Sequence, residues 1–287
     1  MNSALLETTI LEAHTIKVPV VSATVATSCG TIKTKGASEY ALLEYNNAVV
    51  VQVDYLLKLF AEKQDIERVR EHIDRILSAS KFKMRKANMC REILHRLEFD
   101  LRKVFDPIYR SDAHDFHQAR AERAMVLLKE FRCSWLLELR PLVDKWEKNT
   151  QCYWVRQITG ASMRSPKVVT PVCSRTTIRC GIVDFLKSRQ ADLVKIRAHI
   201  LSLPATQQTD ELKKLEQAIQ LFLVDPESAA EYKTGCVVFA DCLHALESKN
   251  YDAIYTMNKR EFIPLCKALN QSCLMQDHHG NVPTLIP

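Results

Sequence analysis

The apolar positions of this chain recur mostly at helical spacing. Asp65–Ser78 places Ile66, Val69, Ile73, Ile76 and Leu77 on one side of a charged segment. Ala87–Val104 does the same with Met89, Ile93, Leu94, Leu97, Leu101 and Val104. Both show the three-to-four-residue period of an amphipathic helix. A longer helix is predicted from about Phe116 to Arg140, stopping or kinking near Pro141. Helices return over 182–202 and 209–222, separated by Pro204, and Asp225-Pro226 closes the second. β-Branched runs interrupt this pattern. Ala48–Val53 (AVVVQV) reads as a buried strand after the turn-like pair Asn46-Asn47, and Tyr251–Thr256 (YDAIYT) as another, ahead of a helix over Lys259–Leu269. Ile16–Thr27 is expected to form one or two short strands, with Gly30 and Gly36 punctuating a turn. Residues 149–181 read as loop or a small strand excursion. Strands flanked by helices at both ends of the chain argue for a helix-rich α/β sandwich around a parallel sheet.

Composition changes this picture little. Only 6 of the 287 residues are glycine, which disfavours a barrel or sandwich built on many tight turns. A net charge of +6 is compatible with nucleic-acid binding without requiring it. Lys81, Lys83, Arg85 and Lys86 form the densest basic run, either a solvated helix start or a phosphate-contacting patch. The 10 cysteines are widely scattered with no CxxC pair, which points to a reduced, cytoplasmic protein rather than a disulfide framework. The N-terminus lacks the basic start and continuous apolar core of a signal peptide, and no segment has the apolar length to cross a bilayer. The absence of a glycine-rich phosphate loop counts against a nucleotide-driven motor. Neither a Gly-x-Ser-x-Gly elbow nor a cysteine nucleophile motif is present.

The richest local pattern is Phe239–Leu265, FADCLHALESKNYDAIYTMNKREFIPL. Asp241 opens a helix of about three turns; a short strand then ends in Thr256-x-Asn258-x-x-Glu261-Phe262. This resembles the closing helix-strand-helix of the PIN-domain nucleases, whose toxin-like members are ribonucleases. The resemblance implies a PIN-like three-layer sandwich with a central parallel sheet, and carboxylates gathered at the C-terminal edge of that sheet. Two further stretches are aligned to the family. Val49–Phe60 (VVVQVDYLLKLF) resembles its opening strand and helix, hydrophobic-Asp-Thr-Asn/Asp-x-Leu-Leu. Gln52 then stands where the first aspartate belongs and Asp54 two residues on; a shift of register makes Asp54 the first carboxylate. Lys83–Leu94 aligns Glu92 with the helix-borne glutamate that follows the family's second strand, with Glu98 as fallback.

The resemblance therefore implies a site of Asp54, Glu92 and Asp241 with Asn258 at the rim, holding Mg²⁺ or Mn²⁺ to activate water against an RNA phosphodiester. Single-stranded DNA is the other substrate implied, and toxin-like relatives imply a protein partner or antitoxin. Because Gln52 and Asn258 are amides at two expected carboxylate positions, a catalytically inactive PIN-derived RNA- or protein-binding scaffold is the alternative. The corresponding organisation is an N-terminal extension (1–46), a PIN-like core (47–104 and 235–275), a helical insertion or elaborated layer (105–234) and a C-terminal tail (276–287). Asp252, beside the second strand, reads as a local cap.

Two other clusters carry less. Asp112, His114, Asp115 and His117 have metal-ligand chemistry, but they fall at a polar break and lack a further ligand, so surface histidines at a helix start are the better reading. Trp135, Trp146, Tyr153 and Trp154 lie among Arg132, Arg140, Lys145 and Arg156; at helical spacing they read as core with snorkelling charges rather than a base-stacking platform.

Overall fold

The computed structural model describes residues 1–17, 19–79, 84–105, 114–151, 155, 181–226 and 235–287. The chain opens with β1 (Ser3–Leu6), whose Ala4, Leu5 and Leu6 are fully buried. A strand buried on both faces is what a parallel sheet between helical layers needs. α1 (Thr8–Ile16) and α2 (Pro19–Gly30) cross over to β2 (Thr34–Ser38), which lies parallel to β1 with Leu5 opposite Gly36. α3 (Glu39–Tyr45) begins at once, its first turn capped by Ser38 Oγ accepting from the Tyr40 amide at 3.1 Å. A wide π turn (Asn46–Val50) continues it into α4 (Val51–Lys63), which ends where Gln64 turns left-handed at φ 52°. α5 (Ile66–Ala79), α6 (Met84–Phe105) and α7 (His114–Leu139) pack against α4 and one another before β3 (Lys145–Glu147) joins β2 in parallel.

The chain resumes with α8 (Ile182–Ser188), α9 (Gln190–Ser202), α10 (Asp210–Val224), the short α11 (Gly235–Val238) and α12 (Ala240–Glu247). β4 (Ala253–Thr256), buried at all four residues, then pairs in parallel with the free side of β1. α13 (Lys259–Leu269), β5 (Ser272–Met275) and the antiparallel β6 (Thr284–Ile286) complete the sheet. Its order is β3-β2-β1-β4-β5-β6, parallel except at β6. The fold is thus α/β with a mostly parallel central sheet. From β1 the chain winds one way to β2 and β3, then returns to build β4 and β5 on the other side. The carboxyl ends of β1 and β4 therefore flank the topological switch point, where open α/β sheets leave a crevice for ligands.

Several expectations are corrected. The strand expected over 48–53 is helix: Tyr45, Val49, Val53, Leu56 and Phe60 follow one another at three or four residues and are all buried, so helical packing overrides the β-branched composition. The strands expected over 16–27 are also helical; Val21, Val25 and Cys29 share a buried stripe while Val20 is exposed. Gly36 lies inside β2 rather than in a turn. Residues 1–46 supply two strands of the sheet, and the 105–234 segment supplies a third, β3. The final twelve residues include β6, and buried Gln276 accepts a hydrogen bond from Tyr255 Oη at 2.9 Å. Trp135 is core, stacked on Tyr45 with ring centroids 5.2 Å apart. Asp112, Tyr153, Trp154, Lys81 and Lys83 lie outside the described residues.

Candidate functional site

A cleft of about 430 Å³ opens at the switch point, and Glu7, Thr8, Glu44, Asp241, Asn258 and Glu261 are among the residues that line it. Each is placed by the end of a regular element. Glu7 follows β1 directly, and its amide continues the sheet by donating to Tyr255 O at 3.0 Å. Its carboxylate caps α1, accepting from the Thr9 amide at 3.0 Å and from the Thr9 hydroxyl, a role that suits a negative charge at a helix start. Thr256 Oγ1 at the end of β4 donates to the same oxygen at 2.9 Å, so Glu7 ties together the two strands that frame the crevice. Glu44 stands in the last turn of α3, accepting from the Thr8 hydroxyl, with its Oε2 2.7 Å from His244 Nε2. Asp241 lies in the first turn of α12 and Glu261 in the first turn of α13. Asn258 precedes α13, its amide donating to Thr256 Oγ1 at 2.9 Å.

The electrostatics of this cleft follow from crowding. Burial pushes Asp241 up to about 8, and Glu44, Glu7 and Glu261 add to the effect. Burial also lifts Glu7, against the pull of His244 and the Thr9 hydrogen bonds. For His244 burial favours the neutral ring, but Glu44 first, then Glu7 and Glu247, outweigh it and hold the imidazole at about 9. Burial raises Glu247 to about 7, opposed by Ser38, His244 and Asn149. Carboxylates that retain protons because they are buried and crowded together make a setting that a divalent cation relieves. Ligand atoms of Glu7, Glu44 and His244 lie within 4.8 Å of one another. This donor set fits a divalent cation, with Asp241 facing the same cleft.

A pH dependence follows. Asp241, Glu247 and His244 each hold in the fold a proton that the unfolded chain has released, over 3.8 to 8, 4.5 to 7 and 6.5 to 9 respectively. Stability must then fall as pH rises across these windows. Thermal denaturation followed by circular dichroism without metal is expected to show the midpoint dropping between pH 7 and 9, and Mn²⁺ to flatten the drop. A metal-free midpoint that climbs over that interval contradicts the site's electrostatics.

Of the four residues expected from sequence, Asp241 and Asn258 line the cleft; Asp54 and Glu92 do not. Asp54 sits on α4, paired with Arg132 Nη1 at 2.9 Å and Lys58 at 3.2 Å. Glu92 on α6 pairs with Lys17 at 3.1 Å. Both carboxylates are used in ion pairs between or along helices. Gln52 is buried in α4, facing the Cys90 thiol at 3.8 Å, and Glu98 is held by Arg70. Asp252 accepts from the Asn2 and Ser3 amides at 2.9 and 3.0 Å, pinning β1 to the start of β4. His117 Nδ1 stands 3.9 Å from Asp65, with no further ligand beside it among the described residues.

Sequence reasoning missed Glu7, Glu44 and His244. The first had a signal: Glu7 directly follows the apolar pair Leu5-Leu6 and precedes Thr8-Thr9-Ile10-Leu11, a carboxylate at the junction of a short apolar run and a helix. His244 follows Asp241 by three residues on α12 and so shares its face. The described cysteines are free, and no helix among the described residues is long and apolar enough to cross a membrane. Compared with protein-family models, curated proteins and solved structures, the chain matches none, and the site is read from its own geometry.

Proposed function

We propose that this chain is a PIN-like, metal-dependent endoribonuclease that hydrolyses RNA phosphodiester bonds. One observation carries the proposal: Glu7, Glu44 and Asp241, delivered by three separate elements, converge with Asn258 and Glu261 on one cleft at the carboxyl edge of a parallel sheet. Glu7, Glu44 and Asp241 would hold Mg²⁺ or Mn²⁺, whose charge lowers the pKa of a bound water and offsets the negative charge developing on the phosphoryl oxygens. Glu7 is held rigid by Thr9 and Thr256, which limits reorganisation during the reaction. Asn258, neutral at the rim, can donate an amide hydrogen to a non-bridging phosphate oxygen without repelling it. Glu261 faces the cleft from the start of α13 and is a candidate to orient the attacking water. Of the two amides that favoured an inactive scaffold, Gln52 lies away from this cleft in α4, and Asn258 lines it.

The test is cleavage of end-labelled single-stranded RNA, beside the same sequence as DNA, with Mn²⁺ present or chelated. Wild-type protein is expected to cut RNA only with the metal, and Asp241→Ala to lose about a hundredfold or more of the rate. Equal cleavage by both proteins removes Asp241 from the site; no cleavage by the wild type on either strand favours the binding scaffold.

A further inference from the structure

A buried histidine held against Glu44, one of the residues lining the cleft, distinguishes this cluster from a site of oxygen ligands alone. His244 is fully buried, and its ring lies 6.3 Å from that of Tyr40, centroid to centroid. Its Nε2 points at Glu44 Oε2, 2.7 Å away, with Thr8 Oγ1 at 3.5 Å. We propose that His244 Nε2 is a direct ligand, with Glu7 and Glu44, in a mixed nitrogen–oxygen cation site that selects Mn²⁺, Co²⁺ or Zn²⁺ over Mg²⁺. The inference deepens the nuclease reading and rests on it for the site's use.

Two observations support the assignment independently. The first is reach. Two ligands about 2.1 Å from one ion stand roughly 3.0–3.4 Å apart, so the Nε2–Oε2 pair needs to open by less than about 1 Å to admit one. The third ligand atom, from Glu7, is already within 4.8 Å of both. The second is a pair of orphan atoms behind the ring. His244 Nδ1 and Glu247 Oε2 are both buried without a hydrogen-bond partner, and they lie one turn apart on α12. A metal-bound histidine keeps its remaining proton on the other ring nitrogen and usually gives it to a carboxylate or carbonyl. Glu247, one turn along α12, would accept it after a small rearrangement: its Oε1 takes a hydrogen bond from Asn149 Nδ2 at 3.2 Å, and its Oε2 has no partner. Selectivity follows from the donor. Imidazole suits first-row transition ions, whereas Mg²⁺ prefers an oxygen-only shell and keeps its waters.

Calorimetric titration of metal-free protein with Mg²⁺, Mn²⁺ and Zn²⁺ tests the selectivity, and pulsed electron paramagnetic resonance of the Mn²⁺ form tests the ligand. The expected result is Mn²⁺ and Zn²⁺ binding about tenfold or more tighter than Mg²⁺, with ¹⁴N coupling to the bound Mn²⁺. His244→Gln is expected to lose the coupling and about 10- to 100-fold of Mn²⁺ affinity, with Mg²⁺ affinity changed far less. The wild-type spectrum decides even if that variant fails to fold. Bound Mn²⁺ without ¹⁴N coupling, or Mg²⁺ binding as tightly as Mn²⁺, overturns the histidine's role and leaves the carboxylate site standing. No binding of any divalent ion overturns the metal-dependent reading itself.

Discussion

Glu7→Gln is expected to lower metal-dependent RNA cleavage about 10²- to 10³-fold, while Asp54→Asn and Glu92→Gln leave it unchanged. The contrast is sharp because all three are carboxylate-to-amide changes. Glutamine preserves the length of Glu7 and an oxygen to accept from Thr9 and Thr256, so the β1–β4 edge keeps its geometry. What disappears is a negative charge beside Glu44 and Asp241, and with it affinity for a cation. Removing that charge also relieves repulsion in a buried cluster, in which Glu7 and Glu44 both raise Asp241. Metal-free Glu7→Gln should therefore denature at a higher temperature than wild type, because functional sites often hold such strain. Loss of activity with gain of stability separates a site residue from a structural one, and single-turnover cleavage with paired melting curves measures both. Cleavage that survives Glu7→Gln but fails in Asp54→Asn would return the opening carboxylate to α4.

The largest expected effect on stability comes from one hydrogen atom. Gly36 faces Tyr251, and a Cβ added there would meet the phenol oxygen at 2.0 Å and its ring carbon at 2.2 Å. Tyr251 cannot easily retreat: its hydroxyl donates to Glu147 Oε1 at 2.6 Å, on the buried side chain that ends β3. Gly36 itself is fixed between Leu5 of β1 and Lys145 of β3. Gly36→Ala must displace a strand or the tyrosine, combining overpacking with a broken hydrogen bond to a buried carboxylate. The cost is about 3 kcal/mol or more. Gly30→Ala is the control, because no atom lies within 4 Å of its added Cβ; it is expected to be near neutral. Urea denaturation of the two variants gives the comparison, and equal midpoints would show that Tyr251 yields without penalty.

The C-terminal half of the candidate site, Asp241 and Asn258 on the cleft, was legible because it is local in sequence. Asp241, β4 and Asn258 belong to one helix-strand-helix run whose periods change within Phe239–Leu265. The other half was not, for two physical reasons. β1 is four residues, Ser-Ala-Leu-Leu, too short for any period to emerge, and its neighbours in space come from β2 and from β4. Meanwhile Ala48–Val53 has a stronger strand composition than any strand in the sheet, yet Val49 and Val53 fall on the buried stripe of a helix. Reading 48–53 as the first strand drew attention to Asp54 and Glu92, which lie away from the cleft, and past Glu7 and Glu44, which line it. The helical character of the region and the parallel sheet survived that error, since neither depends on which apolar segment is the central strand.

The pairing of β1 with β4 also sets when the cleft can form. The Asn2 amide and the Asp252 carboxylate that receives it are 250 residues apart, a separation that makes the central contact of the sheet among the last to form. During synthesis β1, Glu7 and Glu44 are made long before Asp241, Thr256 and Asn258. Until then the strand edge of β1 that receives β4 stays open, a liability for aggregation. The same delay leaves a growing chain with only half of the acidic cluster until α12, β4 and the start of α13 are made.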